Sequence, residues 1–283
     1  MLDRLHTLYR ALECRPDSYQ DWYRQANVLW EQERYEEALY SYERALNYYP
    51  QDYWAWYRRG KVLECLGYFR EAVESYQQAG EIRPSDYWAW YSQGWIYLEE
   101  LGDYEKAIAY FDKALSIEPQ DYWGLYRKGE SLRLLERYSE AIACYDTILD
   151  WRPYDFWTWY REGDCFRSLG ELQPALECYD RALETKPEDH WAWYQRGTIL
   201  QQQEQLADAI AAYQQAVKFD PEADFAWYDL ACCYALRGDR EKSLASLKEA
   251  IALYPERYQL EAISNSDFDN LRQDEQFNSL LQS

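Results

Sequence analysis

The sequence predicts an all-α protein made of stacked antiparallel helix pairs, and three observations lead there. The hexapeptide DYWAWY stands at 52–57 and 86–91, with close copies at 121–126, 155–160 and 189–194, so one segment recurs every 34 or 35 residues. A fixed period of that length marks a helical array. Small residues keep the same register: Gly60, Gly94, Gly129, Gly163 and Gly197 in one column, and Ala38, Ala72, Ala107, Ala141, Ala175 and Ala209 in another. Breakers then punctuate each copy, as Gly67 and Pro84 do in the second. Two helices and two turns fill the period.

Residues 1–18 read as half a unit, a single capping helix with Leu2, Leu5, Leu8, Ala11 and Leu12 at helical spacing before Pro16. Seven units follow over 19–257, at 19–52, 53–86, 87–121, 122–155, 156–189, 190–223 and 224–257. In the second, Asp52 is placed to cap the first helix by accepting from a free backbone amide. That helix runs to about Leu66, and Gly67 ends it because glycine takes the left-handed conformation without strain. The second helix presents Ala72, Tyr76 and Ala79 on one face, and Pro84 stops it. Gly60 is expected to let the partner helix approach, with the Ala column meeting it. Trp22, Trp56, Trp90, Trp159, Trp193 and Trp227 fill the remaining space with Tyr42, Tyr76, Tyr145, Tyr179 and Tyr213.

The third unit carries a surplus residue, since Tyr97 to Ala107 spans ten positions where Leu63 to Ala72 spans nine. A wide helical turn or a longer loop near Glu99 and Glu100 is expected. Beyond Pro255, residues 258–283 offer Leu260, Ile263, Phe268, Leu271, Phe277, Leu280 and Leu281 to cover the last unit. A terminal cap and a client-binding tail are both readings of this segment.

The 283 residues form one elongated domain on this reading, because each unit touches only its neighbours. A formal net charge of −21 argues against nucleic acid and against an anionic membrane surface. Seven cysteines, Cys14, Cys65, Cys144, Cys165, Cys178, Cys232 and Cys233, include no CxxC pair, and His6 and His190 are the only histidines. Metal ligation and thiol catalysis are therefore poorly supported; small buried residues in a reducing compartment fit better. No cofactor motif appears, no stretch has spanning length, and the N-terminus lacks a signal-peptide core. The chain reads as soluble and cytoplasmic. Without a convergent acid, base and nucleophile, it does not read as an enzyme.

The spacing of Trp56, Gly60, Leu63, Ala72, Tyr76, Ala79 and Pro84, repeated over roughly 19–257, resembles the tetratricopeptide repeat family, in a bacterial, Trp-rich form. Leu125 in place of Trp, Ala26 and Ala231 in place of Gly, and Ser243 and Leu247 in the seventh unit depart from the pattern. The segment 267–281, DFDNLR…FNSLL, resembles the family's terminal cap. The resemblance implies a right-handed superhelical solenoid of about seven repeats with capping helices, whose first helices line a concave groove. Its members bind proteins or extended peptides, and the carboxylate clamp for chaperone tails is not matched here, where Tyr replaces the clamp residues.

Carried onto this chain, the groove would hold Trp54, Trp88, Trp123, Trp157 and Trp191, then Tyr57, Tyr91, Tyr126, Tyr160, Tyr194 and Tyr228, with Trp95 beside them. Arg58, Arg127 and Arg161 form a basic row along it. Trp54 and Trp56 stand two apart and cannot share one helix face. So the first Trp of each unit either paves a ligand groove or covers the joint with the preceding unit. The Arg row is open to two readings as well, local ion pairing or recognition of a carboxylate or phosphate. The leading function is a protein- or peptide-binding scaffold assisting assembly of a larger complex. The alternative is self-association, a homo-oligomer in which the extra Trp residues only stiffen the stack.

Overall fold

A computed structural model describes residues 17–282, and the helix expected at 1–18 lies almost wholly outside them. The chain divides after Arg137 into two compact units. The first holds α1 (Tyr19–Glu31), α2 (Tyr35–Tyr48), α3 (Tyr53–Cys65), α4 (Phe69–Ile82), α5 (Tyr87–Glu99), α6 (Tyr104–Leu115) and α7 (Tyr122–Leu134). The second holds α8 (Tyr138–Leu149), α9 (Phe156–Ser168), α10 (Leu172–Thr185), α11 (His190–Gln202), α12 (Leu206–Phe219), α13 (Asp224–Arg237) and α14 (Arg240–Leu253). After α14 come α15 (Pro255–Ser264), a 3-10 turn (Ser266–Leu271) and α16 (Glu275–Leu280). No strand occurs among the described residues. Within each unit every helix packs on the one before it, so helix pairs stack in chain order.

Every pair but the last, whose cap is Ala223, starts from a side-chain cap. Ala55 N donates to Asp52 at 2.6 Å, Gly124 N to Asp121 at 2.6 Å, Thr158 N to Asp155 at 2.9 Å and Ala192 N to Asp189 at 3.0 Å. The two helices of each pair close through a left-handed residue in the turn between them: Gly67, Gly102, Gly170 and Gly238 take positive φ, and so do Glu33, Glu136 and Glu204 in the corresponding turns.

The surplus residue of the third repeat widens one such turn. Tyr68 N reaches Leu63 O five residues back, whereas the equivalent Asp103 N reaches Tyr97 O six residues back. Glycine in the first helix does make room, but a ring fills it rather than the Ala column. A Cβ on Gly60 would lie 2.7 Å from Tyr76 Cε1, and one on Gly197 2.6 Å from Tyr213 Cε1. Those rings are fully buried, and their hydroxyls donate back to the first helix: Tyr76 to Glu64 at 2.9 Å, Tyr179 to Asp164 at 2.7 Å, Tyr213 to Gln201 at 2.8 Å. Burial of a phenol is thereby compensated at its polar end.

The C-terminal segment packs onto α13 and α14. Tyr258, Ala262, Phe268, Leu271 and Phe277 join Tyr228, Leu247 and Ala250 in one core. Leu260 and Ile263, expected inside, are exposed, because the i, i+4 pair Tyr258 and Ala262 takes the inward face of α15. Of the cysteines, Cys65 is exposed against expectation, while Cys144, Cys165, Cys178, Cys232 and Cys233 are buried; Cys14 lies outside the described residues.

Candidate functional site: an aromatic face on each unit

The two Trp of the repeated hexapeptide have different jobs. The second sits half-buried over the preceding turn, where its indole N–H donates to a proline carbonyl six residues earlier. Trp56 reaches Pro50 at 2.8 Å, Trp90 Pro84 at 3.0 Å, Trp159 Pro153 at 2.8 Å, Trp193 Pro187 at 2.7 Å and Trp227 Pro221 at 3.0 Å. The joint with the preceding repeat is thus covered by this residue. The first Trp is left in solvent: Trp54, Trp88 and Trp123 in the first unit and Trp157 and Trp191 in the second are 45–56% exposed.

Each exposed indole stands edge-on to the aromatic before it. Ring centroids are 4.9 Å apart for Tyr53 and Trp54, 5.2 Å for Tyr87 and Trp88, 4.9 Å for Tyr122 and Trp123, and 5.0 Å for Phe156 and Trp157. Trp191 instead stacks on Phe225 at 4.6 Å. Edge-on packing holds a ring upright with its faces open. Some faces already carry a cation from the residue preceding the next proline. Arg83 lies 4.6 Å over Tyr53 and 5.7 Å from Trp54; Lys186 lies 5.0 Å over Phe156 and 5.8 Å from Trp157.

Beneath this face runs a ladder of phenols and carboxylates. Tyr53 donates to Asp86 at 2.7 Å and Tyr87 to Asp121 at 2.5 Å, so the Asp that caps one helix also receives the hydroxyl of the preceding pair. Tyr19 lies near Asp52, and burial with the nearby carboxylate pushes its hydroxyl pKa upward. The next row is only partly accessible. Tyr57, Tyr91, Tyr126 and Tyr194 are half-buried, but Tyr160 and Tyr228 are buried and leave the candidate set. Tyr160 packs 5.6 Å from Tyr179, and Tyr228 lies 4.9 Å from Tyr258 under the C-terminal segment, accepting from Asn265 at 3.1 Å.

The basic row is engaged locally. Arg58 lies near the Tyr23 hydroxyl, Arg127 lies near that of Tyr91 and pairs with Glu99 at 2.5 Å, and Arg161 pairs with Asp164 at 3.2 Å. Ion pairing is the arrangement at Arg127 and Arg161. Trp95 lines a hollow with Lys61, Glu64, Tyr91 and Ser92.

One column of charges was not singled out in the sequence. Arg59 pairs with Glu43 at 2.8 Å and donates to Ser75 at 2.6 Å; Lys128 pairs with Asp112 at 2.6 Å, and Arg196 with Asp180 through a 2.7 Å contact. The same position in the fifth repeat is Glu162, which faces Asp146. Glu162 is buried, accepts weakly from Cys178 Sγ at 3.8 Å, and leaves Oε2 without a partner among the described residues. Burial first, and then Asp146, push its pKa up to about 8.

Tetratricopeptide repeat matches cover 53–86, 89–121, 124–155, 156–189, 190–222 and 224–257, and a further TPR repeat match covers 26–67. The chain belongs to the tetratricopeptide repeat family. Among solved structures it is similar to YrrB, described as a TPR protein with an unusual peptide-binding site: 25% identity, TM-score 0.58, covering 68% of this chain and 100% of that one. MamA from Desulfovibrio magneticus RS-1 gives 22% identity and TM-score 0.56 over 61% of this chain and 97% of that one. The C-terminal part of a TPR repeat-containing protein from Cytophaga hutchinsonii gives 18% identity and TM-score 0.72 over 88% and 99%. No curated protein matches the chain. Among the described residues, no helix is long and apolar enough to cross a membrane, and no three His, Cys, Asp or Glu side chains gather as a metal site.

Proposed function

We propose that this TPR protein is a non-enzymatic, cytoplasmic scaffold that binds an extended peptide or protein segment on its aromatic faces and assists assembly of a larger complex. The observation that carries the reading is the division of labour within the hexapeptide. The joint is covered by Trp56, Trp90, Trp159 and Trp193, so the exposed Trp54, Trp88, Trp123 and Trp157 have no such part in the stack. Large exposed rings in a repeated row are characteristic of interaction surfaces. YrrB's described peptide-binding site supports the same reading. The alternative, in which the extra Trp residues stiffen the stack, is supported at Trp191, which stacks on Phe225 of the next repeat.

The test is a triple variant, Trp54→Ala, Trp88→Ala, Trp123→Ala, in the full chain, measured against peptides selected from a random 12-residue library displayed on phage. The expected result is an unfolding transition close to wild type and loss of the selected peptides. Unfolding of the triple variant, or unchanged peptide affinity, overturns the reading. Sedimentation of the same variant follows self-association separately.

A further inference from the structure

We propose that Trp88 and Glu118 together form a docking point for an arginine or lysine side chain of a partner peptide, an inference that rests on the peptide-binding reading above. The protein displays the intended geometry on itself. In the first unit the guanidinium of Arg83 covers the Tyr53–Trp54 pair, and in the second the ammonium of Lys186 covers the Phe156–Trp157 pair. Both cations come from the residue immediately before a proline, Pro84 or Pro187. In the third repeat that residue is Glu118, before Pro119.

The aromatic half of the site is nonetheless kept. Tyr87 and Trp88 stand at 5.2 Å and 89°, close to the 4.9 Å and 78° of Tyr53 and Trp54. Glu118 occupies the place from which Arg83 acts: Asp86 N donates to Arg83 O at 3.0 Å, and in the next repeat Asp121 N donates to Glu118 O at 3.2 Å. Trp88 is the most exposed of the five indoles at 56%, and its ring contacts are edge contacts to Tyr87 and Tyr91. Among the described residues no cation lies over it. Asp121 is already committed to the Tyr87 hydroxyl and the Gly124 amide, whereas Glu118 is exposed and forms no ion pair among the described residues. An open indole face, with an uncommitted carboxylate at the repeat position from which two sister repeats supply their own cation, is complementary to a basic side chain. The net charge of −21 favours encounter with a basic segment.

The experiment selects peptides on the full chain from the phage-displayed 12-residue library, then measures the enriched peptide by fluorescence anisotropy. Its controls are the same peptide with its basic residues replaced by Glu, and the variants Glu118→Arg and Trp88→Ala. Enriched peptides should carry Arg or Lys. Glu118→Arg, which installs a resident cation as Arg83 does, should weaken binding roughly tenfold with the unfolding midpoint unchanged. Because Glu118 is exposed, that variant reports even where Trp88→Ala perturbs folding. Enriched peptides without basic residues, or full affinity of Glu118→Arg for basic ones, overturn this inference and leave the peptide-binding reading standing. An empty selection overturns both.

Discussion

Trp193 Nε1 donates to the carbonyl oxygen of Pro187 at 2.7 Å, joining the first helix of one pair to the end of the pair before it. Phenylalanine keeps most of the ring and loses the donor. Trp193→Phe should therefore destabilise by about 1 kcal/mol, and Trp157→Phe, whose indole is exposed, by less than half as much. Urea unfolding of the two variants side by side measures the difference.

Glu162 gives a pH dependence of definite sign. Its carboxyl is a weaker acid in the fold, at about 8 against an ordinary 4.5, so folding retains a proton that the unfolded chain releases. Its contribution is full below about 4.5, declines as pH rises between the two values and is lost above about 8. The loss should be on the order of 5 kcal/mol. Glu162→Gln should flatten that part of the profile and exceed wild type in urea midpoint at pH 8.5. Parallel slopes for the two proteins would contradict the assignment.

Glu204 adopts φ of 60°, where Gly170 in the preceding repeat adopts 77°. A side chain in the left-handed region costs about 1–2 kcal/mol, partly offset by the greater freedom of glycine in the unfolded chain. Glu204→Gly should stabilise by roughly 0.5–1 kcal/mol, and Gly170→Ala, which meets no neighbouring atom within 4 Å, should destabilise by a similar amount. Thermal melts of both variants check the pair.

Gly197 faces a ring that has nowhere to go. Tyr213 is fully buried and its hydroxyl is held by Gln201 at 2.8 Å, so a Cβ arriving 2.6 Å from Cε1 must displace the helix or the ring. Gly197→Ala should cost about 2 kcal/mol despite alanine's better helix propensity. Gly163→Ala, with its closest contact at 3.1 Å, should cost less.

The stacking of helix pairs was legible because period, small-residue columns and breakers agree, and each acts locally. What escaped the sequence depends on side-chain direction. Trp54 and Trp56 are chemically identical, and only the path of the preceding turn places the Pro50 carbonyl under one of them. Gly60 announces a close approach without naming what approaches, and the answer is a tyrosine ring. Leu260 and Ile263 were plausible core residues until Tyr258 claimed the inner face of α15. The Glu162 anomaly had a readable signal. Aligning Arg59, Lys128, Glu162 and Arg196 in one column, against Glu43, Asp112, Asp146 and Asp180, exposes a reversed charge before any coordinate is seen.

The hydroxyl-to-carboxylate ladder also marks a seam. Tyr53 and Tyr87 each hold the residue that starts the following pair, whereas Phe156 has no hydroxyl to offer Asp189. Lys186 serves Asp189 instead, at 2.6 Å and only three positions away along the chain. The same ammonium lies 5.0 Å over Phe156, so a cation stands in for the missing hydroxyl, and added salt would loosen the joint between α9–α10 and α11–α12 sooner than one still stitched by a phenol.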